Sequence, residues 1–254
     1  MRLPLLLSLA LLVGFLAGCD SSTPSGPDAA PVVLAPAAFT IPTDAFPPAA
    51  AATAVGQNYV TAAARVAIVT GIVGLNLVVP KAATDAATRV TPTVENGTFV
   101  WSTSVDVLGR PVAILLFGTP RSSEVEWRLT TAADGDAPFT LYTATTSLDG
   151  RDGTWTLFNP NVSGAVATAD FEVDATPEIT FRVAPGRDGA GNSVRYEGDG
   201  DERTFDFFDA QQDVRSLVRW DQTGRTGSIT ATDYNGGARA CWDAQLNDTP
   251  CSGA

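Results

Sequence analysis

Histidine is absent from all 254 residues of this chain. Its absence excludes Ser-His-Asp and Cys-His catalysis, zinc sites with histidine ligands and pH switching by histidine. Lysine occurs only as Lys81, and the three cysteines are Cys19, Cys241 and Cys251. No catalytic or cofactor motif is recognisable either, so no catalytic residue and no cofactor is predicted.

Positive charge is also scarce. The chain has 16 Lys and Arg against 28 Asp and Glu, which gives a formal net charge of −12 at pH 7. A surface of that sign repels the phosphate backbone of DNA and RNA. We therefore do not expect nucleic acid as a partner.

The first 18 residues combine a basic start with an apolar run. Arg2 precedes residues 3–16, a run of signal-peptide length that is shorter than the ~20 residues of a membrane-spanning helix. The run ends in Leu16-Ala17-Gly18-Cys19, which resembles the lipobox of bacterial lipoprotein precursors. The resemblance implies that residues 1–18 are a signal peptide and that Cys19 carries acyl chains, such as palmitate, that anchor it in a membrane. We expect a lipoprotein of the cell envelope that faces the periplasm or the cell surface.

Residues 19–48 are rich in proline and alanine. Repeated prolines favour extended polyproline II structure, so this segment is predicted to be a tether between the membrane and the folded domain. Its apolar residues indicate that the distal half packs onto the domain; they are Val32, Val33, Leu34, Phe39, Ile41 and Phe46.

A helical pattern occupies residues 49–79, with apolar residues at Val55, Tyr59, Ala62, Val66, Val69, Val73 and Leu77. The other faces become apolar after Val66, which is typical of a helix buried on all sides. We expect Pro80 to end this helix and a short second helix to cover residues 82–90. The alternative is an element that inserts into a membrane, although the apolar run is too short to span one.

The apolar period changes to two after Asn96 and stays so to the C-terminus, which is typical of strands with one buried face. Turn dipeptides separate the strands: Asn96-Gly97, Asp134-Gly135, Asp149-Gly150, Asp188-Gly189, Asp199-Gly200 and Asn235-Gly236. Residues 49–254 are thus predicted to form one mainly β domain. It would be an antiparallel meander of about ten to twelve strands, forming a barrel or a strongly curved sheet around one buried N-terminal helix.

Two groups of residues are candidates for bonds or ligands. Cys241 and Cys251 form an even pair once Cys19 is lipidated, so we expect a disulfide, with two free thiols as the alternative. Asp199, Asp201 and Glu202 form the densest acidic cluster and are weak candidates for calcium, since hard cations prefer oxygen ligands. The calcium-loop pattern of EF-hands is absent, and a solvated hairpin turn is the simpler interpretation.

Three functions fit these patterns. The first is a non-enzymatic envelope protein that binds a partner or ligand or serves structurally. The second is a carrier of lipid or another apolar ligand, because the predicted architecture is similar to that of the LolA and LolB carriers and of lipocalins, which bind acyl chains in a concavity. The third is a carboxylate-dependent glycan hydrolase, a chemistry that needs no histidine. The tryptophans could form the surface on which sugar rings stack, but their alternating positions are better explained by core packing.

Overall fold

The computed structural model describes residues 29–33, 46, 55–133, 135–173 and 178–251. In these ranges one α-helix, α1 (Gln57–Ala87), precedes fourteen strands. The strands are β1 Thr93–Glu95, β2 Thr98–Val107, β3 Arg110–Pro120, β4 Glu124–Ala133, β5 Phe139–Ser147, β6 Asp152–Phe158, β7 Ala165–Glu172, β8 Glu178–Val183, β9 Ser193–Asp199, β10 Glu202–Asp209, β11 Val214–Asp221, β12 Gly227–Ala231, β13 Ala240–Trp242 and β14 Asp248–Thr249. A short 3-10 helix, Asn235–Gly237, lies between β12 and β13.

The fourteen strands form one antiparallel sheet in which every strand pairs with its neighbours in sequence. The predicted meander is confirmed, with more strands than the ten to twelve expected. β1 and β14 are the two edges and do not pair with each other, so the sheet is open and the barrel alternative is wrong. The edge strands have only 3 and 2 residues, which limits their pairing with other chains.

Left-handed residues make most of the turns between strands. Asn96 and Gly97 adopt φ values of 51° and 78°, as the Asn-Gly dipeptide predicts. The turn between β2 and β3 uses Leu108 and Gly109 at 54° and 78°. Leucine rarely adopts this region, which is why the pattern of turn dipeptides misses this turn.

One face of the sheet is apolar and buried. All five tryptophans lie in its core with at most 4% exposure: Trp101, Trp127, Trp155, Trp220 and Trp242. Gly118 makes room for two of these rings, since a Cβ there would lie 2.7 Å from Trp127 and 3.2 Å from Trp101. The predicted alternation is confirmed, and so is the interpretation of the tryptophans as core residues.

Helix α1 packs on this face. At its N-terminal end the Gly56 amide donates to the carbonyl of Leu246 (2.8 Å), and the Asn58 side chain donates to the carbonyl of Cys241 (2.8 Å). Farther along, Thr84 shares a hydrogen bond of 3.0 Å with Tyr142 of β5. The helix therefore extends from the last strands of the sheet to β5, and it also contacts β2, β3 and β4.

The bounds of α1 differ from those predicted. The helix continues through Pro80 to Ala87, so the predicted end at Pro80 and the separate helix over residues 82–90 are both wrong. Proline inside a helix removes one backbone hydrogen bond. Buried residues on both sides of Pro80, including Leu77 and Ala83 at 3% and 5% exposure, stabilise the continuous helix by their contacts with the core.

Only one side of α1 is buried among the side chains that the structure describes. Tyr59, Val66 and Val73 are at most 4% exposed, whereas Val60 and Val78 are 45% and 57% exposed. The prediction of burial on all sides is therefore wrong. Within the described part of the chain, no helix is long and apolar enough to cross a membrane.

Two residues of the predicted tether pack against the same core, as expected: Val33 and Phe46. The ring of Phe46 lies 5.1 Å from that of Trp220, 5.4 Å from Tyr59 and 6.2 Å from Trp242, measured between centroids. Val32, which was expected to pack in the same way, is 56% exposed and is not part of this core. The remaining predicted contacts, from Leu34, Phe39 and Ile41, fall outside the described residues.

Replacing Phe46 by alanine should lower the free energy of unfolding by about 2 kcal/mol, because a partly buried aromatic side chain is lost from three ring contacts. Denaturant unfolding followed by tryptophan fluorescence measures this change. Val94→Ala is the control, since Val94 is 60% exposed on β1 and its truncation should cost less than about 0.5 kcal/mol. Equal effects of the two variants would contradict the packing of Phe46.

Candidate functional site

The two C-terminal cysteines form the predicted disulfide. Cys241 lies in β13, Cys251 follows β14, and their Cα atoms are 5.2 Å apart. The bond holds the end of the described chain against the last strands. Cys19 and the rest of the lipobox-like motif lie outside the described residues.

The acidic calcium candidates lie in the turn between β9 and β10. Asp199 ends β9, Asp201 is in the turn and Glu202 begins β10. Across the described ranges, no group of three or more His, Cys, Asp or Glu side chains is placed to hold a metal ion. The nearby Asp206 instead pairs with Arg215, from which it accepts a hydrogen bond of 2.8 Å. The arrangement is that of a hairpin turn.

A groove of about 630 Å³ runs over β1 to β5 and contains two carboxylates, Glu95 and Glu126. Arg121 donates a hydrogen bond of 2.6 Å to Glu126, and this bond lowers the pKa of the Glu126 carboxyl below its usual range. A glycosidase needs the opposite, a general acid whose pKa is raised. The groove offers no exposed tryptophan either, since Trp127 is 3% exposed. Its geometry therefore gives no support to glycan hydrolysis.

A second groove, of about 440 Å³, separates the first turns of α1 from β10 and β11. Val60 and Phe207 contribute apolar surface to it. Arg65 and Asp233 also line it and form an ion pair of 2.7 Å. The groove thus combines apolar surface with one ion pair.

The third concavity is a cleft of about 490 Å³ between α1 and the ends of β4 to β7. We call it the Pro80 cleft. Val79 and Pro80 form its wall on the helix. The opposite wall has polar residues, such as Thr131, and several large apolar ones: Phe139, Leu141, Leu157, Phe158 and Val166. Leu141 and Leu157 are 7% and 2% exposed. The cleft thus has an apolar interior that reaches the core.

A buried hydrogen bond fixes the helix beside this cleft. Thr84, one turn beyond Pro80, contacts the hydroxyl of Tyr142, and Thr84 also donates to the carbonyl of Pro80 at 2.9 Å. Burial raises the pKa of Tyr142, so the phenol stays neutral. Because Tyr142 adjoins the lining residue Leu141, this bond holds the two walls together.

Polar and charged groups lie at the mouth of the Pro80 cleft. Asp136 and Asn159 line it, and the guanidinium of Arg110 lies 3.6 Å from the carboxylate of Asp136. Both partners of this ion pair are exposed, at 64% and 63% of their side-chain surface. Arg110 is thus a cation beside the lining residue Asp136, in an ion pair that is only weak.

Three exposed apolar side chains are close in sequence to residues at the cleft. Leu108, two residues before Arg110 in the turn after β2, is 99% exposed. Val162, two residues after the lining residue Pro160, is 41% exposed, and Val78, next to the lining residue Val79, is 57% exposed.

Sequence reasoning missed this cleft because it assigned Pro80 to the end of a helix and expected any cavity to lie under the sheet. No family model matches this chain, and neither does any curated protein or solved structure. The assignment of function therefore depends on the residues themselves.

Removing the disulfide by the double substitution Cys241→Ala and Cys251→Ala should lower the free energy of unfolding by roughly 2–3 kcal/mol, because the bond closes a short loop. Urea unfolding of the variant and the parent measures this difference. Non-reducing peptide mapping should link Cys241 to Cys251, and free thiols at both positions would contradict the structure.

Calcium should leave the stability unchanged. Because Asp199, Asp201 and Glu202 belong to a hairpin turn, thermal melting curves in CaCl₂ and in EDTA should superimpose. A higher melting temperature in calcium that is abolished by Asp201→Asn would show that the turn binds the ion after all.

Proposed function

We propose that this chain is a membrane-anchored lipoprotein of the cell envelope whose β domain acts by binding rather than by catalysis. The main support for the anchor is the sequence Leu16-Ala17-Gly18-Cys19, which follows a basic residue and an apolar run. The disulfide between Cys241 and Cys251 supports an oxidising compartment outside the cytoplasm. The domain would face the periplasm or the cell surface.

We infer further that the sheet curves strongly around α1, which makes the helix a central element of the domain. In support, α1 contacts β2 to β4 near one edge of the sheet and β11 to β14 at the other. Residues of α1 and of strands across the sheet belong to one core cluster.

The charged groups of the described residues support a binding role. Arginine side chains hold several carboxylates of the sheet surface: Arg195 donates to Glu178 at 2.8 and 2.9 Å, and this pairing lowers the pKa of Glu178. Carboxylates held as anions do not serve as general acids at neutral pH. They do make a charged surface suited to contact with another envelope protein.

A second candidate function is carriage of an apolar ligand, and the Pro80 cleft is the observation that favours it. The core beneath the sheet is filled by side chains such as Trp155 and Trp220, at 0% and 2% exposure. The filled core favours the cleft between α1 and β4 to β7 over the concavity as the position of a ligand.

Cys19→Ala should abolish metabolic labelling of the protein with palmitate and release it from the membrane fraction, because the thiol is the site of acylation. Cys251→Ala is the matched control and should keep both the label and the membrane association. Continued labelling of the Cys19→Ala variant would overturn the proposed anchor.

A further inference from the structure

We propose that the Pro80 cleft binds a long-chain fatty acid, with the hydrocarbon chain inside the cleft and the carboxylate on Arg110. This inference rests on the second proposed function, the carriage of an apolar ligand, and specifies its site and ligand. It does not depend on the lipid anchor.

The apolar side chains of the cleft suit a hydrocarbon chain. Val79, Phe158 and Val166 offer only carbon atoms as side-chain contacts, and the buried Leu141 and Leu157 form the deep end. An extended peptide would bring backbone N–H and C=O groups that these side chains cannot pair, and each unpaired polar group is costly. An alkyl chain brings no such group.

The volume favours one chain. About 490 Å³ lies toward the low end of the range for small-molecule sites. A lipid with two acyl chains would leave much of its second chain in water.

The charge at the mouth selects for an anionic head group. The guanidinium of Arg110 is 3.6 Å from Asp136 and both side chains are mostly exposed, so their ion pair is weak. Arginine binds a carboxylate with two parallel hydrogen bonds. Arg110 can therefore exchange Asp136 for the carboxylate of the ligand, while Asp136 stays hydrated.

Photo-cross-linking of the purified full chain tests the site. The probe is palmitic acid with a diazirine in its chain, added in a non-ionic detergent, and cross-links are mapped by peptide mass spectrometry. Label should concentrate on residues 131–141 and 157–166. Ala137 lines the cleft and is exposed, so Ala137→Trp places an indole in the cleft. This variant should reduce the label about five-fold or more, because even one extra methylene group is destabilising in a packed site. Ala238→Trp, at an exposed position that does not line the cleft, should not change it.

Substitution of Arg110 separates the head group from the chain. Arg110→Gln should weaken labelling by the fatty acid about three-fold, as expected for one exposed charge pair, and should leave labelling by the matching diazirine alcohol unchanged. A diazirine phosphatidylcholine should label the cleft less than the fatty acid does. Equal labelling of the parent and Ala137→Trp, or label spread outside the two segments, would overturn the proposal. A palmitoylated Cys19 with an unlabelled cleft would refute the fatty-acid site and leave the anchor intact.

Discussion

The apolar face of an open fourteen-stranded sheet must be covered, and the rest of the structure depends on how this is done. A closed barrel would cover that face with its own strands, but here β1 and β14 do not meet. Helix α1 therefore covers it, with Tyr59, Val73 and Leu77 among its fully packed residues. Phe46 completes the cover beside Trp220 and Trp242. The helix and the segment before it are thus structural parts of the β domain.

Partial cover by one helix also creates the cleft. A helix is straight and a sheet is twisted, so the two surfaces do not match along their whole length. In this protein the cleft lies beside Pro80, and the buried bond between Thr84 and Tyr142 holds the helix next to β5. The cleft is consequently bounded by fixed walls, which favours binding because little conformational entropy is lost when a ligand enters.

Local features of the sequence predicted much of this fold. The alternation of apolar residues located the strands, the Asn-Gly and Asp-Gly pairs located many turns, and the even pair of Cys241 and Cys251 predicted their bond. Each of these depends on residues close together in the chain. The turn at Leu108 escaped prediction because its residue type does not show its backbone conformation.

Non-local contacts could not be predicted in the same way. Whether β1 and β14 meet depends on the curvature of twelve intervening strands, and whether Pro80 ends a helix depends on the core contacts around it. The one-sided burial of α1 likewise follows from its position on the sheet, since its sequence is apolar on both sides. The Pro80 cleft combines residues of α1 with residues of β4 to β7 and their connections, which only the fold brings together.

Hydrogen exchange of the full chain, followed by mass spectrometry, tests most directly whether the helix and the sheet form one unit. Because α1 covers the apolar face, amides of α1 should be as strongly protected as those of β4 to β6, and all should exchange through the same global unfolding. If α1 exchanged rapidly while the sheet remained protected, the helix would not be the cover on which this structure depends.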